Sequence, residues 1–267
     1  MNVDSKGILR PAAIGRAFTL ERRPPPADLA DCVDCHWLVG WDLRDRAAYR
    51  SEVLTHPSVH VVFEAPGCLI YGVRRRLDVR ILAGAGFAIG TKFVPGGFSA
   101  FTDRPIGELT DSVLPLAAVF GPDSAGLGAT VGDLDRPDDV LDPLIELLRA
   151  HRREPTAEAE LVKATVARMR EAAPGLSVGE IARRQGVSVR TLERLFARHV
   201  GAGPKWVLQR YRLHEALEAV GGTKRPDWTR LALDLGYFDH AHFIRDFRAV
   251  AGRTPTQYDR ENRERAA

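Results

Sequence analysis

The sequence has little cysteine, little methionine and no long apolar run. Its 267 residues include three cysteines and two methionines. That is too few for a disulfide framework, and three thiols in a reducing compartment stay free. No window approaches the roughly 18 consecutive apolar residues of a membrane helix. The opening stretch "MNVDSKGILRPAAIGR" lacks the continuous apolar segment of a secretory signal, so the cytoplasm is the expected compartment. A large charge of one sign is missing too, since the formal net charge is only +3. What remains is 45% hydrophobic and 27% charged, the balance of a globular protein, in a chain long enough for two ordinary domains.

The modest charge is unevenly spread. Residues 174–267 carry a net +6 and residues 1–173 a net −3. A basic module joined to a slightly acidic one points to a polyanionic partner for the basic end.

Along the chain, "RRPPPADLAD" reads as extended. From about 33 to 101, short β-rich runs broken by glycine and proline predict a small β-barrel or sandwich: "CHWLVGW", "VHVVFEA", "CLIYGV", "LDVRILAG" and "GFAIGTKFV". After a loop-rich stretch, "VLDPLIELLRAHR" and "TAEAELVKATVARMREA" have apolar residues at helical spacing. The expected division is a β-rich domain over 1–135, a helical linker and possible dimerisation region over 136–173, a helical domain over 174–260 and a tail over 261–267.

The helical domain contains an internal repeat. "IARRQGVSVRTLERLFARHVGAGP" from Ile181 and "LALDLGYFDHAHFIRDFRAVAGRTP" from Leu231 align, after one inserted residue, at an offset of 51. Leu192 then matches Phe243, Arg194 matches Arg245, Phe196 matches Phe247, Gly201 matches Gly252 and Pro204 matches Pro255. Each copy reads as a short helix, a glycine turn and a second helix opening on a capping residue. Ser177 and Glu180 form a capping box, Gly186 turns and Ser188 caps; in the second copy Asp227 caps, Gly236 turns and Asp239 caps. Such a helix-turn-helix presents its second helix to the DNA major groove.

Helical periodicity divides each second helix into two faces. Leu192, Leu195, Phe196 and His199 form one core face, and Phe243, Phe247 and Val250 the other. Opposite lie Arg190, Arg194 and Ala197 flanked by Glu193, and Ala241, Arg245 and Arg248 flanked by Ile244. Arginine suits guanine O6 and N7 or phosphate, Glu193 suits cytosine N4, and Ala241 or Ile244 suits a thymine methyl. The plainer reading is a solvated helix face, and the matched arginines of the two copies argue against it. Ser188, His240 and His242, at the helix starts, complete the candidate DNA-contacting set. His240 and His242 stand about 200° apart on a helix, so they cannot grip one metal ion from one face.

The region 174–260 resembles the DNA-binding domain of AraC/XylS-type transcription regulators. The residues that carry the likeness are Gly236, Tyr237, Asp239, His242, Phe243, Arg245, Phe247, Gly252, Thr254, Pro255 and Tyr258. Leu231 stands where isoleucine is more usual, and the arginine that often follows the tyrosine is displaced to Arg260. The resemblance implies two helix-turn-helix units joined by a long helix, here "PKWVLQRYRLHEALEAV", with recognition helices entering successive major grooves about 34 Å apart. Lys205, Arg210 and Arg212 on the connector then become candidate phosphate contacts. The β-rich part is similar to a cupin-like sensor domain found ahead of such domains. The implied fold class is α+β: a small β-barrel, cupin-like domain with a helical linker, then an all-α domain of two helix-turn-helix units. Double-stranded DNA, a small-molecule effector, RNA polymerase and a second copy of the chain are the implied partners, with no enzymatic activity and no cofactor.

Trp37, Phe63, Tyr71 and Phe93 are the candidate effector contacts, although such aromatics are more often simply core. "GTKFVPGGF" lacks the spacing of a phosphate-binding loop. "CVDCH" matches the c-type haem string, which belongs to exported proteins. Cys32, Cys35, His36, His56, His60 and Cys68 are of zinc-ligating type, but no second C-x-x-C or H-x-x-x-H completes a set, so no metal is expected. The rival readings are an alkyl-transfer DNA-repair regulator with a metal-bound cysteine, a redox dithiol at Cys32 and Cys35, and a DNA-binding protein without effector.

Overall fold

Antiparallel pairing organises the first part of the chain. The computed structural model describes residues 7–10, 13–64, 67–127, 137–171, 176–220 and 226–266, so the expected boundaries near 135 and 174 lie outside the described residues. The strands are β1 (Thr19–Arg23), β2 (Val33–Leu43), β3 (Tyr49–Val53), β4 (His60–Glu64), β5 (Gly67–Tyr71), β6 (Asp78–Leu82), β7 (Gly84–Phe93) and β8 (Val113–Pro115). Six form one sheet in the order β1-β2-β7-β4-β5-β8, while β3 and β6 pair with each other in a second sheet. The β-rich domain is thus built as an open sheet faced by a small one, and the expected barrel does not close into a ring.

Alternation along the strands separates two environments, because successive side chains point to opposite faces. Leu38 of β2, Val61 and Phe63 of β4, Cys68 and Ile70 of β5, and Ile89 and Phe93 of β7 join the main hydrophobic core. Trp37, Trp41, Val62, Tyr71 and Ala88 pack on the other face, toward the small sheet.

The helices are α1 (Ala117–Phe120), α2 (Asp138–His151), α3 (Ala157–Arg170), α4 (Val178–Arg184), α5 (Val189–His199), α6 (Pro204–Val220), α7 (Trp228–Asp234), α8 (His240–Ala251) and α9 (Pro255–Ala266). Their apolar stripes do not make a separate helical core. Leu144 and Leu148 of α2, Val162 and Val166 of α3, Leu192 and Phe196 of α5 and Val207 of α6 continue the core of the large sheet. The faces of α2 and α3 that suggested dimerisation are therefore covered within the chain. A second core gathers Leu213 and Ala216 of α6, Phe243 and Phe247 of α8, and Tyr258 of α9 with Leu9 and Leu54 from the β-rich part. Each helix-turn-helix unit is thus docked on the β-rich domain.

Candidate DNA interface and effector cavity

The two repeated units superimpose in their local chemistry. Ser177 accepts from the Glu180 N–H at 3.2 Å and Ser188 from the Thr191 N–H at 3.0 Å. Asp227 accepts from the N–H groups of Thr229 and Arg230, and Asp239 accepts from that of His242 at 2.7 Å. Gly186 and Gly236 turn at φ 67° and 74°, the left-handed region that an L side chain resists. The two glycines stand 50 residues apart and the two caps 51 apart, so the inserted residue lies inside the second turn. It is Phe238, 92% exposed and adjacent to the capping Asp239. The sequence reading passed over it, although the change of offset within the turn was the signal.

On α5, Leu192, Leu195, Phe196 and His199 are buried, while Arg190, Glu193, Arg194 and Ala197 are exposed. On α8, Phe243 and Phe247 are buried, Ala241, Arg245 and Arg248 are exposed, and His240, His242, Ile244 and Val250 are half-buried. Ser188 is exposed at its cap. The His242 ring lies edge-on to Tyr237 and 3.5 Å from the Asp246 carboxylate.

Two groups in this region have partners from outside it. The Arg194 guanidinium donates to the Glu158 carboxylate of α3 at 3.0 Å, and this bond holds the Glu158 pKa below its ordinary value. Arg210 on α6 is not a phosphate contact. Its side chain is 1% exposed, donates to the Arg75 carbonyl at 2.7 Å and sits over the Trp206 ring at 4.4 Å. Burial pushes its pKa down to about 10, against the raising effect of Asp111. Arg212 is half-buried and donates to the Leu176 carbonyl at 3.3 Å, which leaves Lys205 as the exposed cation of the three.

Between the two sheets lies a cavity of about 800 Å³. Trp37 and Tyr71 line it; Phe63 and Phe93 do not, because their positions on the strands turn them into the core on the opposite face, where they are 1% and 0% exposed. The cavity reaches His56, whose ring stacks on His214 of α6 with centroids 3.9 Å apart and planes 1° from parallel. Arg74 also lines it, and its carbonyl lies 3.5 Å from the Arg210 guanidinium. The wall of the cavity is therefore in direct contact with the helix that joins the two repeated units.

The cysteines are free, with Cys32 and Cys68 buried. Burial pushes the Cys32 thiol up to about 11 and Cys68 to about 12, and it raises Cys35 as well. Thiols held protonated are poor nucleophiles. His36 is engaged with the Thr91 hydroxyl at 2.8 Å. Among the described residues, no three His, Cys, Asp or Glu side chains come together as a metal site, so the alkyl-transfer reading finds no ligand set there. No described helix is long and apolar enough to cross a membrane.

The chain is similar to several solved structures. One is a transcriptional regulator from Chromobacterium violaceum of the AraC-type DNA-binding domain-containing proteins, with 27% identity, 39% of this chain and 92% of that one covered, and a TM-score of 0.35. Another is a DNA-binding transcriptional dual regulator from Escherichia coli K-12, with 22% identity, 42% and 96% covered, and a TM-score of 0.33. A third, ToxT from Vibrio cholerae, covers 91% of this chain and 98% of its own at 7% identity and a TM-score of 0.41. No match is found among curated proteins. Residues 21–115 match a family described as a Domain of unknown function (DUF6597), and residues 181–261 match the family described as Helix-turn-helix domain. Residues 181–261 of the chain are a helix-turn-helix domain, carried behind a β-rich domain that matches a family of unknown function.

Proposed function

We propose that the chain is a sequence-specific transcription regulator of the AraC/XylS type that responds to a small effector, acts in the cytoplasm and has no enzymatic activity of its own. The observation that carries this reading is the pair of capped helices, α5 and α8, with arginines exposed at matched positions. Arg190, Arg194, Arg245 and Arg248 suit guanine or phosphate, Glu193 suits cytosine, and Ala241 and Ile244 suit thymine methyls. Ser188, His240 and His242 stand at the helix starts, where phosphate contacts set register. Phe238 adds an exposed ring at the same edge of the second unit.

The effector response is supported by the cavity and by its contact with α6 through His56 and Arg74. A ligand that moves either residue acts on the element carrying both reading helices. The partners on this reading are double-stranded DNA, a small effector, RNA polymerase and a second copy of the chain. With the apolar faces of α2 and α3 buried within the chain, a homodimer has to use exposed surface, the outer faces of these helices included.

A binding selection on random duplexes with the full chain tests the reading. It should enrich one asymmetric site, and Arg194→Ala and Arg245→Ala should each weaken binding to that site by about 1–3 kcal/mol. Affinity should fall steeply with added salt. A selection that enriches no sequence, or unchanged affinity in both variants, defeats the assignment of the two helices.

A further inference from the structure

The cavity between the sheets has two chemically different parts. Its apolar floor is made by two indoles lying over glycines. Trp37 pairs across the sheet with Gly90 and Trp41 with Gly86. A Cβ at Gly90 would stand 2.0 Å from the Trp37 ring, and one at Gly86 would stand 2.6 Å from the Trp41 ring. The missing side chains are what allow both rings to lie against the sheet. Phe18, Val39, Val62 and Phe87 extend this surface.

The polar part gathers Arg22, Ser58, His60 and Lys92. Arg22 is paired opposite Trp37 on β1, and Lys92 is paired opposite His60. Three buried atoms here have no hydrogen-bond partner: Arg22 Nε, Ser58 Oγ and His60 Nε2. Ser58 is 2% exposed. An unsatisfied buried polar group is costly, so such a cluster is informative.

All three atoms can serve as donors. The Arg22 Nε carries a hydrogen and cannot accept, and a serine hydroxyl can donate. The His60 Nδ1 accepts from the Trp37 indole N–H at 3.3 Å. A neutral imidazole whose Nδ1 accepts must carry its proton on Nε2. The nearby carboxylates are already engaged: Glu64 and Asp78 with Arg80 at 3.4 and 3.5 Å, and Asp34 with Lys92 at 2.9 Å. Among the described residues, no carboxylate forms an ion pair with Arg22. The cavity therefore offers donors and positive charge at one end and an aromatic floor beside it.

We propose that this cavity binds a small organic anion, a carboxylate on a flat apolar body, with the carboxylate at Arg22, Ser58 and His60 and the body on Trp37 and Trp41. The inference rests on reading the β-rich domain as the effector domain and names the effector's chemistry. Charge-assisted bonds from a guanidinium to a carboxylate are the strong ones, and a neutral amide of the same shape forgoes them.

Calorimetric titration of the full chain with 2-naphthoate and with its neutral isostere 2-naphthamide tests it. Naphthoate should bind at least about tenfold more tightly than the amide, the worth of one charge-assisted hydrogen bond. Arg22→Gln should remove about that factor for naphthoate and leave the amide unchanged. Ser58→Ala should cost naphthoate about tenfold, because a hydroxyl donating to a carboxylate is charge-assisted as well, and it covers the case in which the arginine variant does not fold. Equal affinity for the two compounds, no binding of either, or unchanged naphthoate affinity in the folded variants overturns the proposal. Affinity for the selected DNA site, measured with and without naphthoate, separates the two claims. Charge-dependent binding that leaves DNA affinity unchanged upholds the anion site and defeats the effector response. Absence of naphthoate binding defeats the anion site alone, since the DNA-reading assignment stands or falls with the random-duplex selection.

Discussion

The Glu158 carboxylate on α3 and the Arg194 guanidinium on α5 lie 3.0 Å apart. They join α3 to the first of the two candidate reading helices. On the proposed reading of Arg194 as a base contact, DNA and Glu158 compete for the same guanidinium. Their side chains are 60% and 47% exposed, and an ion pair in such surroundings contributes less than about 1 kcal/mol. Glu158→Gln should accordingly tighten binding to the selected site by at most roughly fivefold, the equivalent of that energy. Fluorescence anisotropy on a labelled duplex measures it. Weaker binding by the variant would mean that Glu158 supports the bound conformation instead of competing with it.

Arg210 ties the connector to the β-rich domain. Its guanidinium donates to the Arg75 carbonyl at 2.7 Å inside an interface that also holds the stacked pair His56 and His214. Arg210→Ala empties the space over Trp206 and leaves the Arg75 carbonyl without its donor, which should cost about 2–4 kcal/mol in urea unfolding. Arg210→Lys should recover little of it, because a point-like ammonium reproduces neither the planar stack nor the fork. Full recovery by lysine would show that charge alone matters here.

Much of the helix-turn-helix part was legible because its signals are local. Caps, turn glycines and helical period operate within about a dozen residues, and the repeat printed them twice. Arg210 was legible in principle: Val207, Arg210, Tyr211 and His214 share one stripe of α6, and all four are buried. Reading basic character as exposure hid that. The aromatic candidates divided for a different reason. Alternation fixes which residues within one strand share a face, but placing Trp37 with Tyr71, and Phe63 with Phe93, requires the cross-strand register. The cavity floor likewise depends on Gly90 falling opposite Trp37, a pairing between positions 53 residues apart. The contact between Glu158 and Arg194 spans 36 residues and carries no sequence signature.

Gly90 offers a direct test of that floor. An added methyl would meet the Trp37 ring at 2.0 Å, with ring atoms on a sheet-bound side chain as the obstacle. Gly90→Ala should force the indole off the sheet and destabilise the domain by about 1–3 kcal/mol, the usual cost of overpacking. The displaced indole should also lose its bond to His60, which red-shifts its emission as it meets water. A variant with unchanged stability and spectrum would mean that Trp37 does not lie over Gly90.

Four histidines, His36 and His199 buried and His56 and His60 half-buried in the cavity wall, respond to acid. Burial, followed by Lys92 and Arg22, pushes the His60 pKa down to about 3, with Asp34 opposing. Burial lowers His56 further, helped by His214 and Lys92. His36 and His199 shift in the same direction, each chiefly through burial. A histidine with a depressed folded pKa stabilises the fold above its unfolded pKa, near 6.5, and that stability is lost as pH falls. Below about pH 6.5 the unfolded chain binds protons that the folded chain refuses, at a cost approaching roughly 1.4 kcal/mol per pH unit for each such histidine. For His60 the loss continues down to about pH 3. The melting temperature should therefore hold steady between pH 8 and 7 and fall from pH 6.5 to 5, above the range in which ordinary carboxylates titrate. His56→Leu should make that fall shallower. A melting temperature that stays level from pH 7 to 5 would require these rings to become charged within the folded protein, which their burial opposes.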